Sequence, residues 1–146
     1  MTSTVLRSSL AALAFTAAIA LAGPSMAAMV NLKADLKASN EVPPGSGSAK
    51  GEVTATYDSA SKKLTWKGSY SGLTGPATAA HFHTGEAGKN GGVAVPIFAG
   101  ASAKSPFEGS ATLNDTQAAD LMAGKLYVNI HTAANKAGEI RGQLMK

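Results

Sequence analysis

Ala79-Ala80-His81-Phe82-His83-Thr84-Gly85 and Tyr127-Val128-Asn129-Ile130-His131-Thr132 contain all three histidines of a 146-residue chain. Both stretches alternate with a period of two, the spacing of a β-strand with one face buried. In the first, Ala80 and Phe82 face one way, and Ala79, His81 and His83 the other. In the second, with Leu126 ahead of it, Leu126, Val128 and Ile130 oppose Tyr127, Asn129 and His131. The apolar set belongs to the core, so the three histidines belong to the outer face. The expectation is two neighbouring strands whose imidazoles converge on one site, open to solvent and covered only by loops.

The flanking sequence repeats the pattern. Val30 to Ala38 alternates, then Asn40-Glu41-Val42-Pro43-Pro44-Gly45-Ser46-Gly47 reads as a loop, since proline lacks a ladder donor. Gly51 to Asp58 and Lys63 to Tyr70 alternate on either side of a short polar turn, the pattern of a hairpin. Trp66, the only tryptophan, is its expected core anchor. After the strand Ala77 to Thr84 comes a glycine-rich loop, Gly85 to Gly92, and then Val93 to Phe98. Pro96 makes this second run an edge strand or a bulged one. Pro106 to Leu113, Lys125 to Thr132 and Glu139 to Leu144 supply further strands. Asn114 to Gly124 is the one helical pattern downstream of residue 28. Asn114 stands as N-cap with Gln117 three residues on, Ala118, Leu121 and Met122 form the apolar stripe, and Gly124 ends it. About eight short strands with one short helix predict an all-β protein. The class is a Greek-key antiparallel β-sandwich or flattened barrel.

The N-terminus reads differently. Arg7, the apolar run Leu10 to Ala22, Gly23-Pro24 and Ser25-Met26-Ala27 have the order of a secretory signal peptide, residues 1–27, leaving 28–146 as one domain. The run is shorter than the roughly 20 residues of a membrane span. The expected location is therefore outside the cytoplasm, periplasmic or secreted, with no embedding in the membrane. There is no cysteine, so neither disulfides nor thiolate ligands enter the argument. The formal net charge of +4 comes from scattered lysines, which gives no nucleic-acid footprint.

His81 and His83 lie about 6.5–7 Å apart along a strand face, close enough for two imidazoles to share one ion with bonds of about 2 Å. His131 is the third ligand. Imidazoles without thiolates suit copper(II) or zinc. The competing reading is that the histidines only cap strands by hydrogen bonding to loop backbone. Glu139 and Arg141 share a face of the last strand. They form an exposed ion pair, or Glu139 orients a histidine while Arg141 draws an anion to the site. Tyr127 and Asn129 share the face of His131 and line the site or decorate the surface. A nucleophile elbow, a phosphate loop and a paired-carboxylate motif are absent from the sequence.

Taken together, several of these segments resemble the CHRD family, the domain repeated in chordin and found singly in exported bacterial proteins. The likeness rests on Leu36-Lys37-Ala38-Ser39-Asn40-Glu41-Val42-Pro43-Pro44, Gly51, the Trp66 hairpin and Ala80-His81-Phe82-His83-Thr84-Gly85 with Gly92-Val93. It continues through Tyr127-Val128-Asn129-Ile130-His131-Thr132 and Ala137-Gly138-Glu139-Ile140-Arg141-Gly142-Gln143-Leu144. It implies an extracytoplasmic β-sandwich. In chordin the domain belongs to a secreted antagonist of bone morphogenetic proteins. A looser resemblance is to copper–zinc superoxide dismutases, through Gly72-Leu73-Thr74, His81, His83, His131, Ala137-Gly138 and Arg141 in that order. The bridging histidine, the zinc-loop ligands, the cysteine pair and a fourth copper histidine are missing, so it implies at most a mononuclear copper site. Three functions follow as expectations: an exported, non-enzymatic copper-binding protein; a protein- or glycan-binding module without metal; and a dismutase-like copper enzyme.

Overall fold

The computed structural model describes residues 27–146. The expected signal peptide lies outside the described residues except for Ala27. Eight antiparallel strands form one sheet in the order β5-β4-β7-β8-β1-β2-β3-β6. They are β1 (Met29–Lys37), β2 (Lys50–Asp58), β3 (Lys63–Ser71), β4 (Ala77–Thr84), β5 (Val93–Ala99), β6 (Phe107–Thr112), β7 (Leu126–Thr132) and β8 (Ile140–Gln143). The helix α1 (Asp115–Met122) connects β6 to β7. No helix among the described residues is long and apolar enough to cross a membrane.

The sheet curls until its two edges, β5 and β6, meet through side chains. The rings of Phe98 and Phe107 pack edge to face, with centroids 5.2 Å apart. The result is a flattened barrel with a seam that aromatic packing holds instead of a hydrogen-bond ladder. Around it, β7-β4-β5-β6 is the Greek-key order, with the long return from β6 to β7 made through α1.

Alternation decides what faces inward. Leu32, Ala34 and Leu36 of β1, Val53, Ala55 and Tyr57 of β2, and Leu64 and Trp66 of β3 fill one half of the interior. Ala80, Phe82, Val128, Ile130 and Ile140 fill the other. Trp66 packs edge to face on Phe82, centroids 5.1 Å apart, so the expected anchor joins the two halves. Across the β3–β6 ladder, Trp66 pairs with Gly109, where an added Cβ would come within 2.7 Å of the indole. Glycine there lets the ring lie flat across the neighbouring strand.

Asn114 caps α1 as its sequence indicates: its side chain accepts from the Gln117 N–H, and the Gln117 side chain accepts from the Asn114 N–H. Leu121 enters the core, whereas Met122 is exposed. The helix is too short and too peripheral to bury the whole expected stripe. Pro96 does mark an edge strand, and β5 also carries two register shifts against β4, beside His81 and Phe82. These leave β4 regular where its histidines stand.

Candidate metal centre

The outer face of β4, β7 and β8 is not open. Every residue of β7 is buried, including Tyr127, Asn129 and His131. Three loops lie across it: 41–47 after β1, 85–92 after β4 and 133–138 after β7. Alternation separates the two faces correctly, but both are covered. The expected solvent-open site is instead a polar layer beneath loops, with His81 and His83 half-buried and His131 only 9% exposed.

Register sets the plan of this layer. On β4 and β7, Ala79 stands opposite His131, His81 opposite Asn129, and His83 opposite Tyr127. On β8, Arg141 stands opposite Asn129. His81 thus occupies the middle, with His83 beside it and His131 diagonal to it. The ring centroids lie 5.5 Å (His81–His83), 5.1 Å (His81–His131) and 5.8 Å (His83–His131) apart. One ring nitrogen from each falls within 4.8 Å of the others. Metal bonds of about 2 Å at tetrahedral angles set ligand nitrogens about 3.3 Å apart, so small ring rotations bring all three onto one ion.

The tautomers follow from the loops. His83 Nδ1 lies 3.0 Å from the Gly91 carbonyl oxygen, and His131 Nδ1 lies 3.0 Å from that of Lys136. A carbonyl only accepts, so both Nδ1 atoms carry the proton and both Nε2 atoms keep a lone pair. His83 Nε2 is buried with no partner. His131 Nε2 faces His81 Nδ1 at 3.2 Å, a contact that needs the proton on His81. A metal there would be held by His83 Nε2, His131 Nε2 and His81 Nδ1, with the His81 proton moved to its own Nε2. The backbone-bracing and metal-binding readings are therefore compatible, because bracing through Nδ1 is what frees Nε2.

Electrostatics keep the rings neutral. Burial lowers the pKa of all three histidines. For His81 the neighbouring His131 and His83 lower it further. For His83 and His131, the carbonyl bonds at Gly91 and Lys136 oppose burial without overcoming it. Neutral imidazole is the form that ligates.

The remaining expected residues are placed, with two corrections. Arg141 is not an exposed ion-pair partner. It is 2% exposed, and its guanidinium lies 3.4 Å over the Tyr127 ring. It donates to Asn90 Oδ1 and to the carbonyls of Glu86 and Lys89. Those bonds pin loop 85–92, so the arginine is turned to the protein and not to an incoming anion. Tyr127 in turn stacks on His83, centroids 5.1 Å apart and planes 10° from parallel. Its hydroxyl accepts from the Gly91 N–H. Glu139 reaches no histidine. Its carboxylate accepts from the Thr74 N–H and hydroxyl, the Thr132 hydroxyl and the Asn135 amide. Burial pushes its pKa up, but these donors outweigh it and hold the carboxyl below its ordinary value. It acts at one remove, by fixing the loop whose Lys136 carbonyl orients His131.

Sequence reasoning missed Glu41 as part of this layer. It is 8% exposed, and both its oxygens accept from Asn129 Nδ2, at 3.2 and 3.1 Å. Burial pushes its pKa up to about 7, against the lowering effects of Asn129 and Arg141. A glutamate in a proline-rich loop carries no periodic signal. The carbonyls of Gly91 and Lys136 were equally hidden, because backbone atoms have no sequence signature.

A family model for the CHRD domain matches residues 32–144, from the middle of β1 to just past β8. The chain belongs to the CHRD domain family. The match spans every element that builds the histidine layer, so the cluster sits within this CHRD domain and not on an appendage. No curated protein and no solved structure matches the chain.

Proposed function

We propose that this CHRD domain is an exported, non-enzymatic copper-binding protein, with His81, His83 and His131 as ligands. The observation that carries the reading is the buried, unpartnered lone pair of His83 Nε2, facing a layer where two other neutral imidazoles converge. A buried polar atom without a partner costs free energy, and a bound ion removes that cost. Three imidazoles without thiolates favour copper(II) over other divalent ions of the first row, with zinc as the nearest competitor. A dismutase-like activity has less support, because the Arg141 guanidinium is already occupied by loop carbonyls and no fourth histidine is present. The signal-like N-terminus points to a periplasmic or secreted location.

Metal content, measured by mass spectrometry on protein recovered from its native compartment, tests this directly. One copper per chain is expected, lost in the His81→Ala/His83→Ala double variant. Metal-free protein that also fails to take up copper or zinc in vitro sinks the proposal. A binding module without metal would then be the better reading.

A further inference from the structure

Two buried polar atoms in the histidine layer lack a hydrogen-bond partner, His83 Nε2 and Asn129 Oδ1. The first belongs to the proposed site. The second has no use in it so far, although Asn129 is 3% exposed and stands among all three ligands. It is directly opposite His81 and two residues before His131, and His83 is opposite its strand neighbour but one, Tyr127. Side chains directly opposite on one face of a ladder have Cβ atoms about 4.5–5.5 Å apart.

The amide's orientation is set by Glu41. Both Glu41 oxygens lie within hydrogen-bond distance of Nδ2, and above its pKa of about 7 the ionised carboxylate, which only accepts, holds that end of the amide. Glu41 arrives from the loop after β1, and the sheet order β4-β7-β8-β1 puts that loop on the far side of Asn129 from β4. With Nδ2 held by Glu41, Oδ1 is left buried and unpartnered on the residue directly opposite His81. Above the amide lies Gly138, where an added Cβ would come within 2.2 Å of Oδ1. The covering loop therefore sits tight on the group and leaves no room for another donor there.

We propose that Asn129 Oδ1 is the fourth donor of the site, which completes a set of three imidazole nitrogens and one amide oxygen. The inference rests on the three-histidine reading. A neutral oxygen donor suits copper(II) and zinc better than copper(I), so it biases the site toward the divalent ions. Glu41 is then a positioning residue that fixes which end of the amide meets the metal.

Copper(II) titrations with electron paramagnetic resonance on the wild type, Asn129→Ala and the Asn129→Asp/Glu41→Gln double variant (the Asp variant) decide it, with thermal melts confirming that each is folded. Asn129→Ala should raise Kd by about tenfold or more and change the copper hyperfine pattern. The double variant keeps an oxygen donor, with the carboxylate and its amide partner exchanged between the two positions, and should bind at least as tightly as the wild type at pH 8. An Ala variant with the wild-type Kd and spectrum overturns the fourth donor, and so does an Asp variant with weakened binding. If the Ala variant does not fold, the Asp variant alone decides. Copper uptake by the wild type with an unaltered Ala variant leaves the three-histidine reading intact. Failure of the wild type to bind copper removes both.

Discussion

Replacing Arg141 with methionine will lower stability by about 2–4 kcal/mol, and the figure follows from its contacts. Three hydrogen bonds leave the guanidinium, at 3.2 Å to Asn90 Oδ1, 3.2 Å to the Glu86 carbonyl and 2.6 Å to the Lys89 carbonyl. Bonds from a charged donor contribute about 1.5–3 kcal/mol each, and a desolvated cation over a tyrosine ring adds about 1–2. Against this, methionine removes several kcal/mol of buried-charge desolvation, and the loop carbonyls can turn to water. The remainder is a few kcal/mol, which corresponds to a fall of about 8–15 °C in Tm for a domain of this size. Thermal melts by far-ultraviolet circular dichroism read it. Arg141→Lys should recover little, because an ammonium cannot serve three acceptors and stack on Tyr127 together. A fall of less than about 2 °C in the methionine variant would refute the idea that Arg141 anchors loop 85–92.

Three further outcomes follow from the same layer and from the core. Glu41 has its folded pKa raised to about 7 from 4.5, so the folded state holds its proton longer than the unfolded chain. Its contribution is therefore present below about pH 4.5 and falls by up to about 3 kcal/mol as pH rises to about 7. The difference between wild-type and Glu41→Gln stability, followed by urea melts from pH 4.5 to 8, should show that slope; a flat difference refutes it. The histidines, with lowered pKa values, give the opposite slope in both proteins and cancel in the difference. Gly138→Ala combines a φ of 133° with a Cβ 2.2 Å from Asn129 Oδ1. It should cost about 2 kcal/mol or more and weaken metal uptake, and wild-type values for both would refute the close approach. Trp66 Nε1 is buried without a partner. Trp66→Phe should therefore cost less than the 3–5 kcal/mol of a full truncation such as Trp66→Ala, a ranking that denaturant melts can reverse.

The fold was legible because the inward faces obey a simple rule. Leu32, Ala34 and Leu36 on β1, Val53, Ala55 and Tyr57 on β2, and Leu126, Val128 and Ile130 on β7 recur at every second position, and all are buried. Asn114 and Gln117 announced the helix start through chemistry local to four residues. The outer face of β7 followed another logic. Tyr127, Asn129 and His131 are polar, and alternation reads polar as solvent-facing. In the folded chain they meet other polar groups, supplied by loops distant in sequence. Glu41 and Asn129 are separated by 88 positions, and Arg141 and Lys89 by 52. Periodicity carries no information about such partners. For the same reason Glu139 and Arg141 looked like an exposed pair, although each is held by a different loop. Which atoms would meet a metal depended on two backbone carbonyls and so could not be read from side-chain identities.

The seam between β5 and β6 gives the barrel a preferred place to open. At most other joints, separation of neighbouring strands breaks a ladder of amide bonds, although β1 and β8 meet through one registered pair. At the seam, Phe98 and Phe107 need only unstack. Amide protons of β5 and β6 should then exchange with solvent long before those of β7, which is paired on both sides and buried throughout. The histidine layer hangs partly on β4, the strand next to that loose edge, while His131 stands on β7, deeper in the sheet. The ladder between β4 and β7 keeps the three histidines in register when β5 parts from β6. Breathing at the seam therefore loosens the core side of the barrel and leaves the outer histidine layer assembled.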